Sequence, residues 1–363
     1  MASARRVRRS SHLLFGLAAV VAALALGEAA VRLRARTLPW FAQRLGEWDP
    51  IPLAIEALGV DGFRPRAGLV VTYENGTAAH ENSVHYRGPV VASPKPAGVF
   101  RVVLLGGSTS HGASVNDDAT IDAFMRRDPA WPANAPRLEV VNLGFDGLDA
   151  VRDFERLRGE GLTFEPDAVI VHSGINDVPV VAHPEAGIDD HAILHGAIRR
   201  MRAWQERGGP SVWDRVKDVS MLARTPGILR QRGGGGVMGG LPAEPPAAGL
   251  ARYRAQVRRT AELVAPQVPV ILSTPPSAIG GSVTGEGYVF GDPATTERYR
   301  VALAAELRVL AGELASESRR VIYAAHAVER TPRFFVDDCH LTPEGNRLVA
   351  HDFVAALAPL ASR

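Results

Sequence analysis

Four short segments of this chain carry residue types suited to nucleophilic chemistry. Gly106-Gly107-Ser108-Thr109-Ser110-His111-Gly112 follows a β-rich apolar run. Glycines permit a sharp strand-to-helix turn that presents Ser108, though the same turn also suits a phosphate-cradling loop or an N-cap serine. Neither Gly-Lys-Ser/Thr nor G-x-G-x-x-G completes it as a nucleotide loop. Asn142-Leu143-Gly144 ends a second run. There Gly144 either offers its N–H to a developing oxyanion or simply makes a turn. Ser173-Gly174-Ile175-Asn176-Asp177 ends a third, where Asn176 is a side-chain donor, a helix cap or an Asx-turn residue. Near the C-terminus, Asp337-Asp338-Cys339-His340 places a carboxylate three residues before a histidine. That spacing lets the carboxylate hold one ring nitrogen while the other acts as a base. Thr342 and Pro343 read as the cap and first residue of the helix that follows.

Other reactive side chains read more plainly. His111 is expected on a helix surface, three residues beyond Ser108. Asp177, Asp338, His172 and His326 form no HExxH or paired i,i+4 pattern, so neither a metal nor a cofactor is expected. Cys339, the single cysteine, reads as a small buried filler and excludes a disulfide framework or a Cys-cluster zinc site.

Short continuous apolar runs must position these segments: 102–105, 139–143, 168–171, 270–272 and, more weakly, 321–324. Continuous runs suit parallel strands covered on both faces. Helical stretches at 121–127, 150–158, 250–264, 295–314 and 343–357 alternate with them, so the expected class is α/β with an open parallel sheet of five strands. Chemistry in such sheets collects at the carboxyl ends of strands. Residues 37–97 are proline-rich and read as a stem with short strands such as 69–73. The core domain is expected over 98–363, with an insertion at about 183–249 that holds a helix at 193–207 and a glycine stretch at 233–240.

Residues 1–36 concern location. Arg5, Arg6, Arg8 and Arg9 precede the apolar run 13–27; Glu28 interrupts it before Arg32, Arg34 and Arg36. A cleavable signal peptide ending at Ala23-Leu24-Ala25 fits this pattern. So does an uncleaved anchor over 13–31, since 19 residues at about 1.5 Å each nearly cross a hydrocarbon core of roughly 30 Å. A buried soluble helix explains the flanking arginines poorly. The anchor is the expectation adopted, with residue 37 onward outside the cytoplasm.

Composition removes other classes. Apolar residues make up 46% and charged residues 22%, with 41 Lys and Arg against 39 Asp and Glu, a net charge of +2. Collagen-like and disordered classes are excluded, and nothing points to nucleic acid as a partner.

Each segment is weak by itself, but GGS, N-x-G, G-x-N-D and D-x-x-H occur in that order. The set resembles the SGNH (GDSL-type) hydrolase superfamily over roughly residues 98–358, and 80–89 resembles a lead-in found in many bacterial members. The resemblance implies a flavodoxin-like three-layer α/β/α fold and a serine esterase. Ser108 would be the nucleophile, His340 the base and Asp337 its orienting carboxylate. The Ser108 N–H, Gly144 and Asn176 would form the oxyanion hole. The usual Asp before the serine is Gly107 here. The implied substrate is a small acyl ester, O-acetylated carbohydrates included. An O-acyltransferase acting on a cell-surface glycan with the same residues, and a non-catalytic binding domain keeping the fold, are the alternatives.

Overall fold

The computed structural model describes residues 2–37, 65, 67–73, 75–184, 211–223, 225, 241–282 and 293–361. The expected helix at 193–207 and the glycine stretch 233–240 lie outside the described residues, as do 38–64 of the stem. The chain divides into two compact units, 57–199 with 237–363, and 1–56 with 200–236.

In the larger unit a small antiparallel hairpin, β1 (Val70–Thr72) and β2 (Ala78–His80), precedes the main sheet. That sheet comprises β3 (Val99–Gly106), β4 (Arg137–Asn142), β5 (Ala168–His172), β6 (Val270–Ser273) and β7 (Val321–Ala324). All neighbours are parallel, in the order β4-β3-β5-β6-β7. Counted along the five core strands this is 2-1-3-4-5, the flavodoxin-like order, whose switch point lies at the ends of β3 and β5. The continuous apolar runs are explained by burial on both faces: β5 is buried at all five positions.

The helices are α1 (Ala2–Thr37), α2 (Ser108–His111), α3 (Ile121–Met125), α4 (Ala150–Gly159), α5 (Val178–Ala182), α6 (Val212–Val219), α7 (Ala247–Glu262), α8 (Pro293–Ser316) and α9 (Pro343–Ala361). Val103, Leu105, Val169, Val171 and Leu272 face a core closed by α4, α7 and α8. Val102, Leu104, Ile170 and Ile271 face the opposite core, closed by α3 and α9. On α8, Leu303, Leu307, Leu310 and Leu314 recur every three or four residues and are fully buried. Each contributes about 1.5–3 kcal/mol by leaving water. Asp149 caps α4, accepting from the N–H groups of Val151 and Arg152.

In the smaller unit Glu28 is no mere interruption of an apolar run. Its carboxylate accepts from Ser220 Oγ and from the N–H groups of Met221 and Leu222, and pairs with Arg32. Among the described residues, no helix is long and apolar enough to cross a membrane.

Candidate active site

The turn after β3 leaves no room for side chains. A Cβ at Gly106, where φ is +141°, would lie 2.3 Å from the His172 carbonyl oxygen and from Ser110 Oγ. Gly107 has an ordinary φ of −82°, but a Cβ there would lie 2.4 Å from the Asn176 side-chain nitrogen. Ser108 then begins α2, and the N–H of Gly112 closes the turn on the Ser108 carbonyl at 2.9 Å.

Tertiary folding brings His340 onto this turn across 232 sequence positions: its Nε2 lies 2.7 Å from Ser108 Oγ. His340 Nδ1 lies 2.7 Å from Asp337 Oδ2. The other carboxylate oxygen accepts the N–H groups of Cys339 and His340, at 2.9 and 2.7 Å. This local turn is why a D-x-x-H spacing works: the aspartate is oriented by the backbone that carries the histidine. An ionised carboxylate only accepts, so Nδ1 carries the proton and Nε2 is left to accept from the serine hydroxyl. Thr342 caps the following helix through the Gly345 N–H, as its position predicts.

Burial pulls the His340 imidazolium pKa down, the neighbouring Cys339 sulfur and the Asp337 carboxylate push it up, and the net direction is up. Burial also pushes the Cys339 thiol up to about 11. The sulfur is therefore neutral at pH 7, and Asp337 is the charge that acts on the ring. The Asp337 carboxyl is itself lowered: burial is the largest single influence and opposes ionisation, but the hydrogen bonds and charge of His340, with the Cys339 N–H, together outweigh it.

Asn176 is buried beside the turn and donates through Nδ2 to the Leu148 carbonyl at 2.8 Å. Gly144 is placed differently from the expectation. Its N–H donates to Asn142 Oδ1 at 3.0 Å, and a Cβ there would crowd Ser110 and His111. Because that N–H is already committed to a buried side chain, Gly144 is not free to meet an oxyanion. Gly147, three residues on, has φ +77°, is partly exposed, and directly precedes Leu148. Among the described residues its N–H has no acceptor. The second glycine of Gly144-Phe145-Asp146-Gly147 was the available signal, and a strand-end reading passes over it.

His111 also departs from expectation. It is fully buried, not on a helix surface, with Nε2 2.7 Å from Glu81 Oε1 and Nδ1 2.9 Å from Asp146 Oδ1. His172 and His326 instead share Ser273 Oγ, at 3.1 and 2.7 Å, and His326 pairs with Asp352. Neither meets Asp177 or Asp338 in a metal-ligating group. Among the described residues, Asp337, Cys339 and His340 form the one group of three whose potential ligand atoms lie within 4.8 Å of one another. These are the contacts of the Asp337–His340 pair itself. Asp177 faces inward, accepting from the Ala150 N–H and from Ser173 Oγ.

Several solved structures are similar to this chain. A lipase/acylhydrolase from Enterococcus faecalis is 16% identical with a TM-score of 0.40, covering 72% of this chain and 96% of its own. An acetyl-xylooligosaccharide esterase variant from Geobacillus stearmophilus is 16% identical with a TM-score of 0.40, covering 70% and 93%. The acetyl xylan esterase AlAXEase is 14% identical with a TM-score of 0.38, covering 71% and 100%. No curated protein matches the chain in sequence. Residues 104–348 match the GDSL-like Lipase/Acylhydrolase family, a span that includes Ser108, Asn176, Asp337 and His340. With two-thirds of its length matched, this chain belongs to the GDSL-like lipase/acylhydrolase family, ester hydrolases that attack with a serine nucleophile.

Proposed function

We propose that the protein hydrolyses a small acyl ester through an acyl-enzyme on Ser108. The observation that carries this reading is the unbroken chain from Ser108 Oγ through His340 to Asp337, with both contacts at 2.7 Å. Ser108 Oγ bonds to the ester carbonyl carbon while its proton passes to His340 Nε2. Asp337 holds the ring and stabilises the imidazolium. His340 then gives the proton to the departing alcohol, and a water repeats the sequence to release the acid. Asn176 Nδ2 and the N–H groups of Ser108 and Gly147 receive the oxyanion, Gly147 replacing Gly144 in that role. Losing one such donor typically costs about 10²–10³ in turnover.

A glycan hydroxyl in place of water would make the same residues an O-acyltransferase. The test combines labelling with product analysis. A fluorophosphonate should label Ser108 alone, mapped by mass spectrometry, and short-chain aryl esters and acetylated sugars should release free acid. Acyl transfer to an added glycan in preference to water overturns the hydrolase reading, and labelling elsewhere overturns the nucleophile.

The reading of residues 13–31 as an anchor holding the hydrolase outside the cytoplasm rests on their apolar run and flanking arginines. Full-length protein should stay in the membrane pellet after a high-salt wash. A soluble form beginning near Leu26 would establish a cleaved signal instead.

A further inference from the structure

His111 sits among charges that the proposed chemistry does not use. It closes α2, the helix that Ser108 opens, and has no exposed surface. Both ring nitrogens face carboxylates: Nε2 meets Glu81, from the segment after β2, and Nδ1 meets Asp146, from the turn after β4. The Tyr73 hydroxyl lies 3.1 Å from Nδ1 and 3.3 Å from Asp146 Oδ2. The Phe145 ring packs against the imidazole with centroids 5.0 Å apart. Arg87 donates to the carbonyl of His111 itself and pairs with Asp117. From the C-terminal segment, the charge of His340 reaches Asp146.

A neutral imidazole has one N–H, so it can satisfy only one of two carboxylates, whereas an imidazolium satisfies both. Glu81 is buried, so leaving it ionised without a donor is expensive, while Asp146 is partly exposed and, among the described residues, otherwise meets only the Tyr73 hydroxyl. The geometry thus calls for a charged ring with a carboxylate on each side. Its Asp146 partner belongs to the turn 145–148, whose other contacts lead to the reacting centre. Phe145 N–H donates to the Gly106 carbonyl, and the Leu148 carbonyl orients Asn176. Gly147 lies between Asp146 and Leu148.

We infer that His111 is a positioning residue: as an imidazolium bridging Glu81 and Asp146, it ties the turn 145–148 to the nucleophile helix and thereby sets the oxyanion donors Gly147 and Asn176. This rests on the reading of Ser108 as nucleophile. Burial lowers the His111 pKa, but the Asp146 charge and the hydrogen bonds to both carboxylates raise it, to about 9. Burial raises the Tyr73 phenol, with the Asp146 charge adding to it, so Tyr73 stays neutral through that range.

The test measures kcat and KM for 4-nitrophenyl acetate from pH 6 to 10 on the wild-type chain and on His111→Gln. A glutamine keeps one donor and loses the charge. Turnover of His111→Gln should fall about 10- to 100-fold, as small misplacements of catalytic groups do, with KM within about threefold. Wild-type kcat should fall as pH rises through about 9, and that alkaline limb should be absent from the variant. Unchanged kcat in His111→Gln, or an alkaline limb that survives in it, overturns the inference. If His111→Gln does not fold, Asp146→Asn, at a partly exposed residue, replaces it. Asp146→Asn should lower kcat at least tenfold and move the limb to lower pH, and wild-type values in both overturn the inference. Fluorophosphonate mapping on the same wild-type preparation separates the two claims. Labelling away from Ser108 is a failure of the nucleophile reading, whereas a labelled Ser108 with an indifferent His111 is a failure of the positioning role alone.

Discussion

The side-chain amide of Asn176 occupies the space that a Cβ at Gly107 would need, with 2.4 Å between the two positions. The backbone at residue 107 is extended and would accept any residue. Glycine there suits the neighbour, not the turn: any side chain would displace the Asn176 amide. Where the family usually carries Asp, this chain leaves the volume to the Asn176 amide.

Gly107→Asp, which restores the usual family residue, should therefore impair this protein. Asn176 must move off the Leu148 carbonyl, and kcat should fall about 10²-fold with little change in KM, the signature of a lost transition-state contact. Steady-state kinetics on an aryl ester provides the measurement. An Asp variant as active as wild type would mean that Asn176 can donate from elsewhere.

Ser108→Ala and His340→Ala should each abolish turnover, and the double variant should be scarcely worse than either, because the members act as a unit. Asp337→Asn should cost about 10⁴ by presenting an amide N–H to Nδ1 and disturbing the tautomer. Additive losses in the double variant would show that serine and histidine work independently.

The acid limb of kcat/KM should lie above pH 6.5, the ordinary histidine value. His340 must be neutral to take the serine proton, and its net shift is upward. Activity is thus lost as pH falls through a raised pKa. A titration midpoint at or below 6.5 would contradict the influence of Asp337 on the ring.

Asp177 makes an opposite kind of pH statement, about stability. Burial, then the charge of Asp149, raises its carboxyl from 3.8 to about 7. Between those values the folded protein keeps a proton that the unfolded chain has released. Stability therefore falls as pH rises through that window and levels off above it. Asp177→Asn should remove much of this fall and raise the melting temperature at pH 8 by roughly 5 °C. A pH 4–8 melting series on both proteins checks it; parallel curves would sink the assignment.

Arg87→Ala should be among the most damaging changes outside the triad. The buried guanidinium donates to Asp117 and to the carbonyls of Ala78, His111, Gly112 and Val115. Removing it takes a buried donor from four carbonyls, though Asp117 keeps His80 as a partner, at a cost of about 3–5 kcal/mol. Arg87→Lys should rescue little, since a point charge cannot serve a fork of four carbonyls. Denaturant unfolding of both variants measures this directly.

The core strands, the helices between them and the Asp337–His340 contact were all legible from residue order. Hydrophobic runs report burial directly, and an Asp-x-x-His turn is local enough for spacing alone to predict its hydrogen bond. The N-terminal anchor remains a proposal resting on its apolar run. What only the tertiary structure decided concerns groups without a side-chain signature. Gly144 and Gly147 look alike in sequence. Which N–H is open depends on the Asn142 side chain that takes the first one. His111 lies on a helix of four residues, too short for periodicity to mark a buried face, and its partners Glu81 and Asp146 come from 30 and 35 positions away. Such a charge cluster exists only once the lead-in hairpin and the turn after β4 are packed onto α2, because only there do the buried Glu81 and the partly exposed Asp146 face the two nitrogens of one buried ring.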